Sequence, residues 1–403
     1  MLDAFRVRSF RFQWPADLLT SWAFEMETLI LSWYVLVDSG SVLLLTAFGS
    51  LQYLGTLAAP MFGVMGDRLG SRTMLCAMRA GYAAFAALVM VLALTSLLTP
   101  AWVLVIATLA GILRPNDQVM RNALIGETIP PQHLMGALGM SRASMDSARV
   151  AGALAGAGLS AALGIAYAFV FVTLCYVASL ALTFGVARGR PMPDPTMTPR
   201  GAVAEPSHYR DLKEGLVHVV TTPALLAPML LAFLINLSAY PVTSGLLPYV
   251  ARRVYMVDAA GLGWLSASFA FGGLLGSIAL IVTGGPARPA RAMLVYAAMW
   301  YVVLLGFAQV RSFRAGLLLL VLAGLVQSVS MISLMAAVLE AAGSRFRARV
   351  MGVRTLAVYG LPLGLMGAGV LIGRVGYAPT VSVWCAVGLV FTILIGIRWR
   401  ATL

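Results

Sequence analysis

Apolar runs of about twenty residues or more recur along the whole chain, separated by little more than turn signals. Twelve such spans are expected, at 15–37, 41–65, 73–97, 101–125, 136–160, 166–187, 223–246, 260–284, 292–310, 315–340, 350–372 and 379–397. A backbone held in hydrocarbon must satisfy its polar groups internally, so each run should be a helix. The separators include "DSGS" (38–41), "LTP" (98–100), "IPPQ" (129–132), "GGPARP" (284–289) and "YAP" (377–379). The short alternating segments of a membrane β-barrel are absent. With 60% hydrophobic and 11% charged residues, the chain has too little charge to cover a soluble surface. The fold class is an all-α integral membrane protein.

The net charge of +13 does not point to nucleic acid, because the arginines punctuate the apolar runs instead of gathering on one patch. With the amino terminus inside, seventeen loop Lys and Arg residues lie on the cytoplasmic side, among them Arg6, Arg72, Lys213, Arg291 and Arg349. Five lie outside: Arg252, Arg253, Arg311, Arg314 and Arg374. That asymmetry places both termini in the cytoplasm and the chain in an inner, bacterial-type membrane. No cleavable signal is visible, since the first span is too long for a signal core and lacks a small-residue cleavage site.

Cys76, Cys175 and Cys385 are scattered, and His133, His208 and His218 lie near loops. They suggest no disulfide framework, metal site or nucleophile, so no enzyme and no cofactor is expected. The longest hydrophilic stretch, 188–222, is Pro-rich in its first half and suits a short surface helix from about Tyr209. It divides the chain into an N-terminal bundle (1–187), a cytoplasmic linker (188–222) and a C-terminal bundle (223–403), six spans on either side. The halves resemble each other. "GDRLGSRTML" (66–75) recurs as "GPARPARAML" (285–294), and "ALIGETIPPQHLMGALG" (123–139) as "AAVLEAAGSRFRARVMG" (336–352). Both pairs fall at corresponding loops, which points to duplication.

"GVMGDRLGSRTML" (63–75) resembles the signature between the second and third helices of the major facilitator superfamily. Gly63, Asp67, Arg68, Gly70, Arg72 and Leu75 fit it, with Ser71 departing where the pattern has a basic residue. The resemblance implies twelve helices in two pseudo-symmetric six-helix bundles, and a loop that latches the outward-facing state. Glu127 is a candidate acidic partner for that loop. "ALIGETIPPQHLMGA" (123–137) and "RVAGALAGAG" (149–158) are similar to the twelve-helix branch that includes the enterobactin exporter, which implies drug or siderophore export. The Gly-Pro-x-x-Gly element of the family's antiporters reads Gly152-Ala153-Leu154-Ala155-Gly156 here, without its proline. In this fold the first, fourth, seventh and tenth helices line a central cavity.

Charges inside the spans carry the rest of the reading. Residues two apart on a helix point about 200° apart, so Glu25 and Glu27 cannot share one face. Asp17, Ser21, Glu25, Thr28 and Ser32 form a polar stripe, so Glu25 is expected to face the cavity and Glu27 a neighbouring helix. In the fourth span Arg114, Asp117 and Arg121 share a face, with Arg114 and Asp117 expected to pair and Arg114 a candidate for the substrate cavity. In the fifth, Arg142, Asp146 and Arg149 read as a buried charge network. Asn236, Tyr240, Gln327 and Ser330 supply milder polarity in the second half, for substrate or for bonds across helices. Burial favours the protonated form of a carboxyl group, and binding a proton can shift the balance between access states. Glu25, Glu27 and Asp117 are therefore the proton-coupling candidates.

The function expected is secondary active transport, the proton-coupled efflux of a small organic compound by alternating access. Uptake, proton-independent transport and a non-transporting sensor or scaffold are the alternatives. The expected partners are the bilayer, protons and a small-molecule substrate, with no obligate protein partner. No nucleotide-binding loop is present, so a proton gradient is the expected driving force.

Overall fold

The computed structural model describes residues 5–56, 62, 65, 69–187 and 208–400. Among them there is helix and no strand. In chain order the helices are α1 (Arg8–Ser39), α2 (Val42–Leu51), α3 (Ser71–Leu94), α4 (Pro100–Thr128), α5 (Pro131–Phe184), α6 (His208–Thr221) and α7 (Pro223–Ser238), then α8 (Ala259–Thr283), α9 (Pro289–Gln309), α10 (Phe313–Leu356), α11 (Gly360–Val375) and α12 (Tyr377–Arg398). Among the described residues, eight helical segments are long and apolar enough to cross a membrane.

Local chemistry sets the ends. Proline opens α4, α5, α7 and α9 at the first helical position, where its missing N–H costs nothing. Asp258 caps α8 by accepting from the Gly261 amide (2.9 Å). Two long helices bend at glycines with positive φ: α5 at Gly164 (φ 79°) and α10 at Gly343 (φ 61°). The bend at Gly164 separates the expected fifth and sixth spans. The expected seventh span, 223–246, is helical over Pro223–Gly245: α7 runs to Ser238 and passes into a π-helical turn at Pro241–Gly245, with a second π turn at Val250–Val254.

The chain divides into two compact units, one of Met1–Ser39 and Leu51–Val203, the other of Gly40–Ser50 and Ala204–Leu403. In the first unit, α1 lies along α5, and α3 packs against both α4 and α5. Gly152 and Gly156 make the α1 contact possible. A Cβ on Gly152 would sit 2.8 Å from the Glu25 Cβ, and one on Gly156 2.8 Å from the Met26 Cα. Phe10, Ile125, Ile129 and Ala137 close one end of this core.

In the second unit, small residues again set the helix spacing. Gly272 of α8 meets the Val321 carbonyl of α10, and Gly324 of α10 meets the Phe269 carbonyl of α8. Gly360 and Gly364 bring α11 against α7 at Phe233 and Leu237. Residues 40–50 pack here too, where Gly369 abuts the Thr46 side chain and Ser50 Oγ donates to the Pro362 carbonyl (3.1 Å). The helix α6 lies on the second limb of α10, with Arg349 Nη1 2.9 Å from Glu214 Oε2 and His218 stacked on Phe346.

Candidate functional site

The first unit buries a layer of charge between α1, α3, α4 and α5. Asp17 of α1 accepts from Arg79 of α3 and lies 3.7 Å from Arg121 of α4. Arg79 also donates to Thr183, while Arg121 donates to Ser21 Oγ (2.8 Å) and the Asp17 carbonyl (3.1 Å). All three charged side chains are essentially inaccessible. Removing one partner from such a cluster leaves an uncompensated charge, which makes the layer structurally demanding.

A second group lies further along α1. Glu27 is buried, 2.7 Å from Arg114 Nη2, and accepts from the Tyr176 hydroxyl (2.6 Å). Arg114 also donates to Thr28 Oγ1 (2.9 Å) and Gln52 Oε1 (2.8 Å), and its guanidinium lies 4.8 Å from the Phe24 ring centre. Glu27 thus faces neighbouring helices, on the side opposite Glu25.

Two expectations are corrected. Arg114 and Asp117 do not pair: Asp117 binds Arg121 one turn on, and Arg114 reaches across to Glu27. Spacings of three and four both allow contact, and an acid four residues before a base is the favoured order. Nor is the charge series of α5 buried. Arg142 and Arg149 are more than half exposed, and Asp146 bridges them at 3.3 and 4.0 Å. This face of α5 is open, so the three charges form an accessible ladder.

Glu25 belongs with that ladder. Its side chain is 39% exposed and its carboxylate lies 3.9 Å from Arg149, a loose approach compared with the buried pairs. Among the four carboxylates inside the expected spans 15–37 and 101–125, Glu25 alone combines access with a weak hold. The other three, Asp17, Glu27 and Asp117, are fixed by arginines.

In the second unit Asn236, Tyr240 and Gln327 come together and Ser330 does not. Gln327 Nε2 donates to the Tyr240 hydroxyl (2.7 Å), and the Tyr240 ring meets Trp300 edge-on. Asn236 bonds the Ala232 carbonyl of its own helix. Ser330 donates across to the Met293 carbonyl (2.9 Å), a helix-to-helix bond in a buried place. Asn236 and Tyr240 line a pocket of about 130 Å³ with Met331, Leu334, Val358 and Arg354.

Arg79 and Arg354 were not singled out from the sequence. Their signal was available, since each is an arginine inside an expected apolar span.

Of the signature loop, Gly63, Asp67 and Arg68 lie outside the described residues. Gly70 has φ 82°, a conformation that glycine adopts without strain. Gly284 and Gly285 also have positive φ at the corresponding loop of the second half (76° and 80°). Ser71 donates to Glu127, while Arg72 donates to the Phe184 carbonyl (2.6 Å) at the end of α5. A cation suits the unsatisfied carbonyls of a helix terminus.

The family model described as Major Facilitator Superfamily matches residues 16–367. No curated protein sequence matches significantly. Among solved structures, the human organic anion transporter MFSD10 is similar at a TM-score of 0.64 and 16% identity, over 96% of this chain and 99% of its own. A bacterial homologue of the human lysosomal transporter Spinster, inward-facing and unoccupied, gives 0.65 and 15%, over 97% and 95%. A POT family transporter in complex with 5-aminolevulinic acid gives 0.73 and 11%, over 98% and 97%. At these identities the likeness concerns the fold.

Proposed function

Because the chain belongs to the major facilitator superfamily, we propose that it exports a small organic compound, drug-like or siderophore-like, in exchange for protons by alternating access. That it is a multi-pass membrane transporter and not an enzyme follows from the family and its structural neighbours. The arginine asymmetry supports an inner-membrane location with both termini in the cytoplasm. The outward direction rests on the exporter-like segments at 123–137 and 149–158. The structural neighbours include an organic anion transporter and a POT family transporter in complex with 5-aminolevulinic acid, so the fold by itself selects no substrate.

The observation that carries proton coupling is the contrast between Glu25 and the locked carboxylates around it. A coupling group must exchange protons with water and must change its interactions when it does so. Glu25 is accessible, and its partner Arg149 is near enough for the charge to matter and far enough to let go. Protonation would release Arg149 and bias the equilibrium between access states by the difference in interaction energy. Gly152 packs against the base of this side chain, where a Cβ would lie 2.8 Å from the glutamate's own Cβ.

Proteoliposomes containing the pH dye pyranine, challenged with a panel of drugs and siderophores, test this reading. The wild type should move protons when a transported compound is added. Glu25→Gln should keep substrate counterflow and lose the proton signal. Proton movement that survives Glu25→Gln would remove Glu25 from the coupling role.

A further inference from the structure

Six arginines lie within the bounds of the expected spans, and five have a carboxylate within ion-pair range: Arg79, Arg114, Arg121, Arg142 and Arg149. The sixth is Arg354, at the end of α10 in the second unit. Among the described residues no carboxylate pairs with it; the residue is half-buried, and its Nε, like those of Arg79, Arg114 and Arg121, is buried without a hydrogen-bond partner. A guanidinium cannot shed its proton inside a protein, so its charge persists wherever the chain puts it. In apolar surroundings such a charge calls for a counter-ion.

The place where Arg354 sits is a pocket, and its composition is selective. Asn236 and Tyr240 bring polar atoms from α7 and the residues after it, while Met331, Leu334 and Val358 supply apolar wall. Tyr240 is held in orientation from two sides, by Gln327 and by the edge contact with Trp300. We propose that this pocket is a carboxylate-binding site, in which Arg354 takes the anionic group of a small amphipathic ligand whose apolar part lies on Met331, Leu334 and Val358. One guanidinium is neutralised by one monovalent, planar carboxylate, which it can meet through two parallel N–H donors. A phosphate dianion would leave a surplus negative charge against an apolar wall. A lipid phosphodiester is the other monovalent source, and it is separated by experiment. As a substrate site the pocket rests on the transport reading above; as a binding site it does not.

The test uses the purified full-length protein in phosphatidylcholine nanodiscs, titrated calorimetrically with hexanoate and with hexan-1-ol as the neutral match. Hexanoate should bind about tenfold or more tightly than the alcohol, as expected for a desolvated charge pair. Arg354→Gln should abolish that preference, and Arg354→Lys should keep part of it. Should Arg354→Gln fail to yield monodisperse protein, Val358→Trp, which fills the pocket and leaves the arginine, decides the matter by a similar loss. Equal binding of acid and alcohol, or unchanged hexanoate affinity in Arg354→Gln or Val358→Trp, overturns the proposal. Loss of hexanoate binding on adding phosphatidylglycerol gives the pocket to lipid headgroups and overturns it too. Hexanoate that binds through Arg354 but is not moved across proteoliposomes supports the site and counts against the transport reading.

Discussion

Glu27 and Glu25 are neighbours in sequence with opposite circumstances. The difference was legible because a helix turns about 100° per residue, which sends positions two apart to different faces. Which arginine serves which acid was not legible. Spacing on one helix limits local partners but says nothing of a carboxylate arriving from another helix, and Arg114 is held by such an arrival. Arg79 and Asp17 lie far apart in sequence, so their pairing needed the fold. A stability prediction follows at this scale. Glu27→Gln leaves buried Arg114 without its counter-charge, and Asp117→Asn leaves Arg121 to share Asp17 with Arg79, each at a cost of about 3–5 kcal/mol. Pairing Asp117→Asn with Arg121→Met should recover much of the loss, because the stranded charge is gone. Thermal unfolding in detergent measures all three variants, and single mutants that melt like the wild type would show the layer to be structurally idle.

The helices themselves were legible from apolar runs, and most of their ends from proline and glycine. The largest misreading is around residues 341–349. The charges in "SRFRARV" suggested a loop, yet the chain resumes as helix after the Gly343 bend and continues to Leu356. Arginine is a good helix former, so a dense run of it marks a change of surroundings and not a break in the helix. That is also why Arg354 escaped notice. The α8–α10 crossing was not legible, because a glycine in an apolar run does not say which helix it will meet. There Gly272 and Gly324 each face a carbonyl of the other helix. Gly324→Val should force the two apart and destabilise the protein by about 1–3 kcal/mol, as overpacking does. A variant with wild-type unfolding behaviour would mean that the crossing can relax around a side chain.

For the whole chain, the signature at 63–75 made the family legible, although Gly63, Asp67 and Arg68 lie outside the described residues. Substrate chemistry was not legible, because it depends on which side chains the fold brings to one pocket. The proposed orientation can be checked in intact cells. On a background without native cysteines, Ser39→Cys and Arg311→Cys should react with an impermeant thiol reagent, and Ala287→Cys should not. Labelling of Ala287→Cys alone would invert the orientation. The assignment of Gly40–Ser50 to the second unit bears on how the protein is made. The ribosome delivers this segment early, then completes the rest of the first unit before Ala204 emerges. At about 5–20 residues per second, the wait is on the order of ten seconds. During that time the segment sits in the bilayer with glycine and hydroxyl surfaces shaped for α11, a helix that does not yet exist. The second unit thus includes a piece laid down near the start of translation, and residues 204–403 expressed alone would lack this packing partner of α11.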